Sequence, residues 1–193
     1  MKVICLLGSP RTNGNSSTIA HKFCNTLKKA GSEIEYIELN KLDYKGCQAC
    51  DACKKNGGEC ILKDDLEDVF ASVKKSDVIV LASPVYFGDV SAQLKGFVDR
   101  MRSYRFKEKI CKERTLNLEP SKKLVMILSQ KAGAKYFNDL YPTYKTLFEG
   151  SLGIKVMPLI RGCNLDKKSD ASNNANLMND VESMARKLIT VGT

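Results

Sequence analysis

Long apolar runs are missing from this chain, and so are the residue pairings on which hydrolytic chemistry is built. No stretch approaches the roughly 20 apolar residues that a membrane helix needs. The opening run Val3-Ile4-Cys5-Leu6-Leu7 stops at Gly8, too short for the core of a secretory signal, so the expected setting is cytoplasmic, without a membrane partner. Histidine occurs once, at His21, with no serine or cysteine partner pattern around it, which argues against a hydrolytic triad. Neither Gly-x-x-x-x-Gly-Lys-Ser/Thr nor Gly-x-Gly-x-x-Gly occurs. That weakens a nucleotide triphosphatase and a dinucleotide-type site alike. No internal repeat, low-complexity tract or Pro/Gly-rich linker divides the 193 residues, so one domain over 1–193 is expected.

Two quantities stand out instead: eight cysteines and a net charge of +9. The hydrophobic fraction of 43% and charged fraction of 27% are ordinary for a globular chain, which excludes extensive disorder. A chain of this size buries roughly 70% of its unfolded surface and needs no disulfide staples. Without a secretory signal, the cysteines point to metal or redox use. The charge fits nucleic acid, a membrane surface or an anionic ligand. Much of it is local, because residues 100–123 hold nine Lys or Arg against three Glu, a net +6.

Apolar runs alternate with helix-period segments along the chain. Residues 2–7 read as a strand buried on both faces, closed by Gly8. From Asn15, the stripe Ile19, Ala20, Phe23, Leu27 and Ala30 predicts an amphipathic helix ended by Gly31. Residues 34–39 predict a second strand. Asp64 or Asp65 caps a helix whose inner face is Leu66, Val69, Phe70 and Val73. Residues 77–82 predict the central strand, and Val90, Leu94, Phe97, Val98 and Met101 another helix. Residues 124–128 and 154–160 predict strands four and five, and Leu177, Val181, Met184, Ala185 and Leu188 a final helix. This alternation implies an α/β fold: a parallel sheet with right-handed crossovers and helices on both faces. Ligands in such sheets sit beyond the carboxyl ends of the strands, so the loops after strands one, three and four are the ones to read.

The first of these runs Gly8-Ser9-Pro10-Arg11-Thr12-Asn13-Gly14-Asn15-Ser16-Ser17-Thr18 into a helix N-terminus. Hydroxyl and amide donors, one arginine and the positive end of a helix dipole suit a phosphate monoester. The plainer alternative is Asn15 or Ser16 as a helix cap after a Ser9-Pro10 turn. After strand three comes Ser83-Pro84-Val85-Tyr86-Phe87-Gly88, then Val90-Ser91-Ala92-Gln93-Leu94-Lys95 and Asp99-Arg100. Together with Gly8-Ser9-Pro10-Arg11 and Asn15-Ser16, these residues resemble the flavodoxin-like NAD(P)H-dependent FMN reductases, and more narrowly their iron–sulfur flavoprotein branch.

The resemblance implies a flavodoxin-like three-layer sandwich whose five-stranded parallel sheet has the order 2-1-3-4-5. It implies FMN with its phosphate at Ser9, Arg11, Asn15, Ser16 and Ser17, with Asn13 also in contact. Pro84, Val85, Tyr86, Phe87 and Gly88 would line the isoalloxazine, the alternative being a strand end whose aromatics fill the core. The loop Ser129-Gln130-Lys131-Ala132-Gly133 would complete the flavin edge through Ser129, Gln130 and Gly133, with Lys131 either at the pyrimidine side or solvated.

Cys47-Gln48-Ala49-Cys50-Asp51-Ala52-Cys53, followed by Cys60, lies in a cysteine-rich loop at 44–63. Cys-x2-Cys-x2-Cys is a ferredoxin-like ligand spacing, and Cys60 supplies a fourth thiolate for a 4Fe–4S cluster. Structural zinc, and a metal-free loop beside the flavin, are the alternatives. Nearby Lys45, Lys54, Lys55 and Lys63 would offset a cluster's negative charge. Cys5, Cys24, Cys111 and Cys163 look structural. The basic insertion at 100–123 either covers a neighbouring subunit's flavin and serves NADPH phosphates, or is a solvated excursion. Its aromatics Tyr104 and Phe106 are too few, without a binding motif, for nucleic acid.

The expected activity is therefore an FMN-dependent oxidoreductase passing electrons from NAD(P)H to a quinone, flavin or other acceptor, assembled as a homodimer or homotetramer. No side chain is expected to act as catalytic acid or base, since the cofactor carries the chemistry. The alternative is an electron carrier serving ferredoxin-like partners.

Overall fold

A computed structural model of the chain describes residues 1–105, 118, 119 and 121–190. The apolar run after Met1 forms β1 (Lys2–Leu7), which hydrogen-bonds in parallel with β2 (Glu33–Glu38) on one side and β3 (Val78–Tyr86) on the other. Beyond β3 lies β5 (Lys123–Ser129), and then the edge formed by β6 (Lys155–Val156) and β7 (Ile160–Gly162). A two-residue strand, β4 (Asp89–Val90), turns back antiparallel on the end of β3. Apart from that hairpin, the order is the expected 2-1-3-4-5 arrangement of a flavodoxin-like sheet.

Each central strand alternates its side chains between two cores, as a pleat requires. Ile4, Leu6, Ile79, Leu81, Leu124 and Met126 face α2 (Leu66–Lys75), α3 (Ala92–Arg100) and α4 (Leu140–Leu152). Val3, Cys5, Leu7, Val78, Val80, Val125 and Ile127 face α1 (Asn15–Lys29) and α6 (Ala175–Thr190), with the short α5 (Asp170–Asn173) between them in sequence. Gly31, at φ +87°, follows the C-cap of α1 in the left-handed conformation that glycine adopts cheaply.

Three features differ from the expectation. The fifth strand is split, because Pro158 has no N–H to donate: Met157 still bonds Leu124 O at 2.8 Å, and pairing resumes only at Ile160. The helix α4 carries no aliphatic stripe in sequence. Its buried row is Leu140, Tyr144, Phe148 and Leu152 at four-residue steps, with Pro142 tolerated in the first turn. Finally, β3 continues four residues past Ala82 into the loop expected to hold the ligand.

Of the basic 100–123 stretch, residues 106–117 and 120 lie outside the described residues, Cys111 and Phe106 among them. The described part is not a solvated excursion throughout. Arg100 and Lys122 are buried, and the Lys122 ammonium caps the end of α2 by donating to Lys74 O at 2.8 Å and to Ser76 O. No helix among the described residues is long and apolar enough to cross a membrane.

Candidate functional site

The register of the sheet decides which loops meet. Leu7 pairs with Ala82, and Pro84 with Ser129, so the segments leaving β1, β3 and β5 lie side by side at the carboxyl edge. Buried polar groups knit the first two. Gly8 N donates to Ala82 O at 2.8 Å, Ser91 Oγ donates to Gly8 O at 2.6 Å, and Ser91 N donates to Ser83 Oγ at 2.9 Å. Ser91 also caps α3 by accepting from Leu94 N at 3.3 Å. Gly8 is required by packing here: a Cβ would sit 2.8 Å from Leu94 Cβ and 2.9 Å from Ser91 Oγ.

The first loop is built around an uncapped helix start. Arg11 N donates to Ser9 Oγ at 3.1 Å and Gly14 N to Arg11 O at 3.1 Å, which curls residues 9–14 into a concave turn. The N-cap is Gly14, which has no side chain to offer the first amides of α1, and no acidic residue occupies the first turn. A Cβ at Gly14 would lie 2.9 Å from Ser9 Oγ, so glycine keeps the cradle open. Ser9, Ser16 and Ser17 are buried while Arg11, Thr12 and Asn13 are exposed above them. Free N–H groups, a positive dipole end, hydroxyls and a guanidinium are the donor set an oxyanion needs. Asn15 differs from the rest. Its side chain donates to Lys167 O at 2.9 Å and accepts from Ala171 N at 3.0 Å, tying the helix start to the α5 loop.

The second loop is a hairpin. Val85 pairs with Val90 and Tyr86 with Asp89, leaving Phe87 (φ +50°) and Gly88 (φ +89°) as a two-residue turn with both residues left-handed. Glycine accepts this geometry freely; phenylalanine does so at a cost, and its ring is wholly exposed. Tyr86 is also exposed. Tyr144 of α4 donates to Asp89 Oδ1 at 2.8 Å and braces the hairpin from behind. Burial, then the adjoining Asp89 carboxylate, pushes that phenol far above its ordinary range, so it stays protonated.

The third loop is held by a pair that sequence reading did not find. Gln130 is buried and turned inward: its Nε2 donates to Ala132 O at 3.1 Å and Gly133 O at 3.0 Å. Its Oε1 accepts from Arg161 Nε at 2.9 Å, and Arg161 goes on to donate to Asn138 Oδ1 at 2.7 Å and to Tyr136 O. Nothing in sequence marks Arg161, a lone arginine in a short strand. Phe137, at φ +58°, brings its ring 3.7 Å from where a Gly88 Cβ would stand, so the hairpin and this loop touch. Lys131 points elsewhere and pairs with Asp166 at 3.0 Å, both exposed.

The cysteine loop forms a separate site at the other end of α3. Ser91 starts that helix beside Gly8, and Arg100 ends it beside the cysteines, roughly 13 Å apart at 1.5 Å per residue. Gly96 makes the approach possible, since a Cβ there would be 3.3 Å from the Tyr44 ring, and Tyr44 OH donates to Gln93 O. Burial pushes the Tyr44 phenol up to about 12. Cys47, Cys50, Cys53 and Cys60 all line one cavity with Arg100 and Arg102. Ala49 (φ +52°) and Asp51 (φ +55°) flank Cys50 in left-handed conformations, so the Cys-x2-Cys-x2-Cys run is coiled rather than extended. Among the described residues, no three Cys, His, Asp or Glu side chains stand grouped as a metal site. Four cysteines and two arginines lining one cavity are nevertheless the side-chain types that a thiolate-bound centre of negative charge calls for. Burial raises the Cys53 thiol above its usual range, the Arg102 charge only partly opposing it.

Away from that cavity, Cys5 and Cys24 are buried together between β1 and α1, and hydrogen bonding to Cys24, then burial, raises Cys5 well above its usual range.

Sheet order, three converging loops and an anion cradle at the first of them define the flavodoxin-like class that binds a phosphorylated flat cofactor at its switch point. The sequence profile of the NADPH-dependent FMN reductases matches residues 1–148, and the chain belongs to that family. An iron-sulfur flavoprotein of Methanocaldococcus jannaschii is 42% identical over 105 residues, 54% of each chain. One from Archaeoglobus fulgidus is 38% identical over 104 residues, 54% of this chain and 47% of that one. The chain thus spans about half the length of the relatives it matches. Among solved structures, an NAD(P)H:quinone oxidoreductase from Methanothermobacter marburgensis superposes with a TM-score of 0.71 at 19% identity, over 97% of this chain and 96% of that one. An FMN-dependent NADH-azoreductase from Bacillus anthracis, in complex with FMN, gives 0.66 at 17%, over 97% and 99%.

Proposed function

We propose that the protein is a cytoplasmic FMN-dependent oxidoreductase that takes electrons from NAD(P)H and passes them to a quinone, a flavin or another acceptor. The observation that carries this reading is the start of α1, without a side-chain cap, where Asn15, Ser16 and Ser17 open the helix and Ser9, Arg11 and Asn13 precede it in the loop; Asn15 would contribute its backbone N–H. Bound there, FMN would accept a hydride and release electrons in pairs or singly.

The chain's own part is positional. The cradle holds the phosphate, and the segment Pro84, Val85, Tyr86, Phe87 and Gly88 offers a flat edge to the ring, with backbone N–H groups from the four residues after the proline. Ser129 and Gly133 close the third side, with the Gln130 side chain committed to shaping that loop. No side chain at the shelf that these three loops form takes a proton-transfer role. An assembly of two or four copies belongs to the same reading, supported by the exposed rings of Phe87 and Tyr136 beside the shelf.

A second reading, an electron carrier between ferredoxin-like partners, is favoured by the cysteine cavity at the far end of α3. There Cys47, Cys50, Cys53 and Cys60 would hold a 4Fe–4S cluster, whose chemistry is one-electron transfer. Steady-state NADPH oxidation by the anaerobically purified protein separates the two. Turnover with a quinone alone supports the enzyme; turnover only with an added redox protein supports the carrier.

A further inference from the structure

Arg100 closes α3, yet its side chain is only 1% exposed. A guanidinium stripped of water must find its partners in the protein, and those of Arg100 fall in two short places. Nη1 donates to Asp64 Oδ1 and Oδ2 at 2.6 and 2.5 Å and to Lys45 O at 3.3 Å, and Nη2 donates to Leu62 O at 3.3 Å. Lys45 is on the way into the cysteine loop; Leu62 and Asp64 are on the way out. Asp64 tightens the same junction by accepting from Lys45 N at 3.2 Å, while Asp65 accepts from Asp43 N at 2.7 Å. Between these two ends lie all four cysteines of the cavity. Arg100 lines that cavity itself, and its Nε is the buried side-chain nitrogen without a partner among the described residues. Arg102, two residues on, reaches Asp51 Oδ1 at 3.0 Å in the middle of the cysteine run.

We propose that Arg100 is the positioning residue of the cysteine loop: by clamping Lys45 to Leu62 and Asp64 it fixes where Cys47, Cys50, Cys53 and Cys60 present their sulfurs. A loop closed at its base has less freedom to lose when four ligands gather, which favours retention of whatever they hold. The proposal rests on the reading of these cysteines as cluster ligands.

The test uses the full chain, loaded with FMN and anaerobically reconstituted with ferrous iron and sulfide. Arg100→Gln is expected to keep one FMN per chain but to release iron to a chelator at least tenfold faster. Arg100→Lys, which retains the charge and one donor, should fall between. Arg102→Gln, which leaves the contacts of Arg100 with Lys45, Leu62 and Asp64 in place, should speed iron release less than Arg100→Gln does while lowering the cluster's midpoint potential. Iron release from Arg100→Gln at the wild-type rate overturns the proposal. If that variant fails to fold, Asp64→Asn opens the same clamp from its less buried side, with the same expectation and the same refutation.

A wild-type protein that binds FMN but takes up no iron refutes the cluster reading alone. The clamp is then read on the metal-free protein by iodoacetamide labelling. Asp64→Asn should label Cys53 and Cys60 several-fold faster than wild type, and unchanged rates overturn the clamp.

Discussion

Gly8 and Asp64 show how single positions hold the two sites. At Gly8 the constraint is space, since α3 and the loop after β1 meet with no room for one more carbon. Gly8→Ala should cost roughly 2 kcal/mol of stability by overpacking, read as a lowered midpoint in urea. At Asp64 the constraint is charge. Burial pushes its carboxyl up, but the Arg100 guanidinium and the Lys45 and Leu66 amides outweigh it and hold it below the usual carboxylate range. A carboxyl depressed on folding stabilises fully above its unfolded value, about 4, and that contribution disappears as pH falls through the lower folded value. Stability should therefore drop below about pH 4, and Asp64→Asn should flatten that acid limb while costing about 3 kcal/mol at pH 7. Urea titrations of both proteins from pH 2.5 to 7 check this; parallel curves would contradict it.

The elements divide by how local their causes are. The anion cradle and the cysteine run were legible in sequence because each gathers its chemistry within a dozen or so residues; β1 announced itself as an unbroken apolar run, and α1 and α3 through apolar periods. Gln130–Arg161 and Arg100–Asp64 were not, since each pair is made only when the sheet closes, 31 and 36 residues apart. Nor was α4, whose buried stripe is half aromatic, nor the break at Pro158 in what reads as one strand.

The β3–β4 hairpin lies between these cases. Its residues carried the family resemblance, but nothing foretold that Phe87 would occupy a left-handed turn position with its ring in solvent. Phe87→Asn makes the turn pair Asn-Gly, which this geometry favours, and should raise stability by about 1 kcal/mol. On the reading given for the shelf, the same change should slow turnover with a planar acceptor, a stability gain at the expense of function. Thermal unfolding and quinone reduction measured on one preparation test both halves.

For the whole molecule, one helix joins two candidate sites. The N-terminus of α3 is fastened to the loop after β1 through Ser91, and its C-terminus to the cysteine loop through Arg100. The family relationship covers residues 1–148 and so includes both ends. All of it depends on the cradle at the start of α1 binding a phosphate monoester. The most direct measurement is a parallel titration of cofactor-free protein with FMN and with riboflavin, which differ only in that phosphate, followed by flavin fluorescence. Charge-assisted hydrogen bonds of about 1.5–3 kcal/mol each predict FMN binding at one per chain and at least about 100-fold more tightly than riboflavin. Equal affinity for the two, or no binding of FMN by the folded protein, would contradict the account.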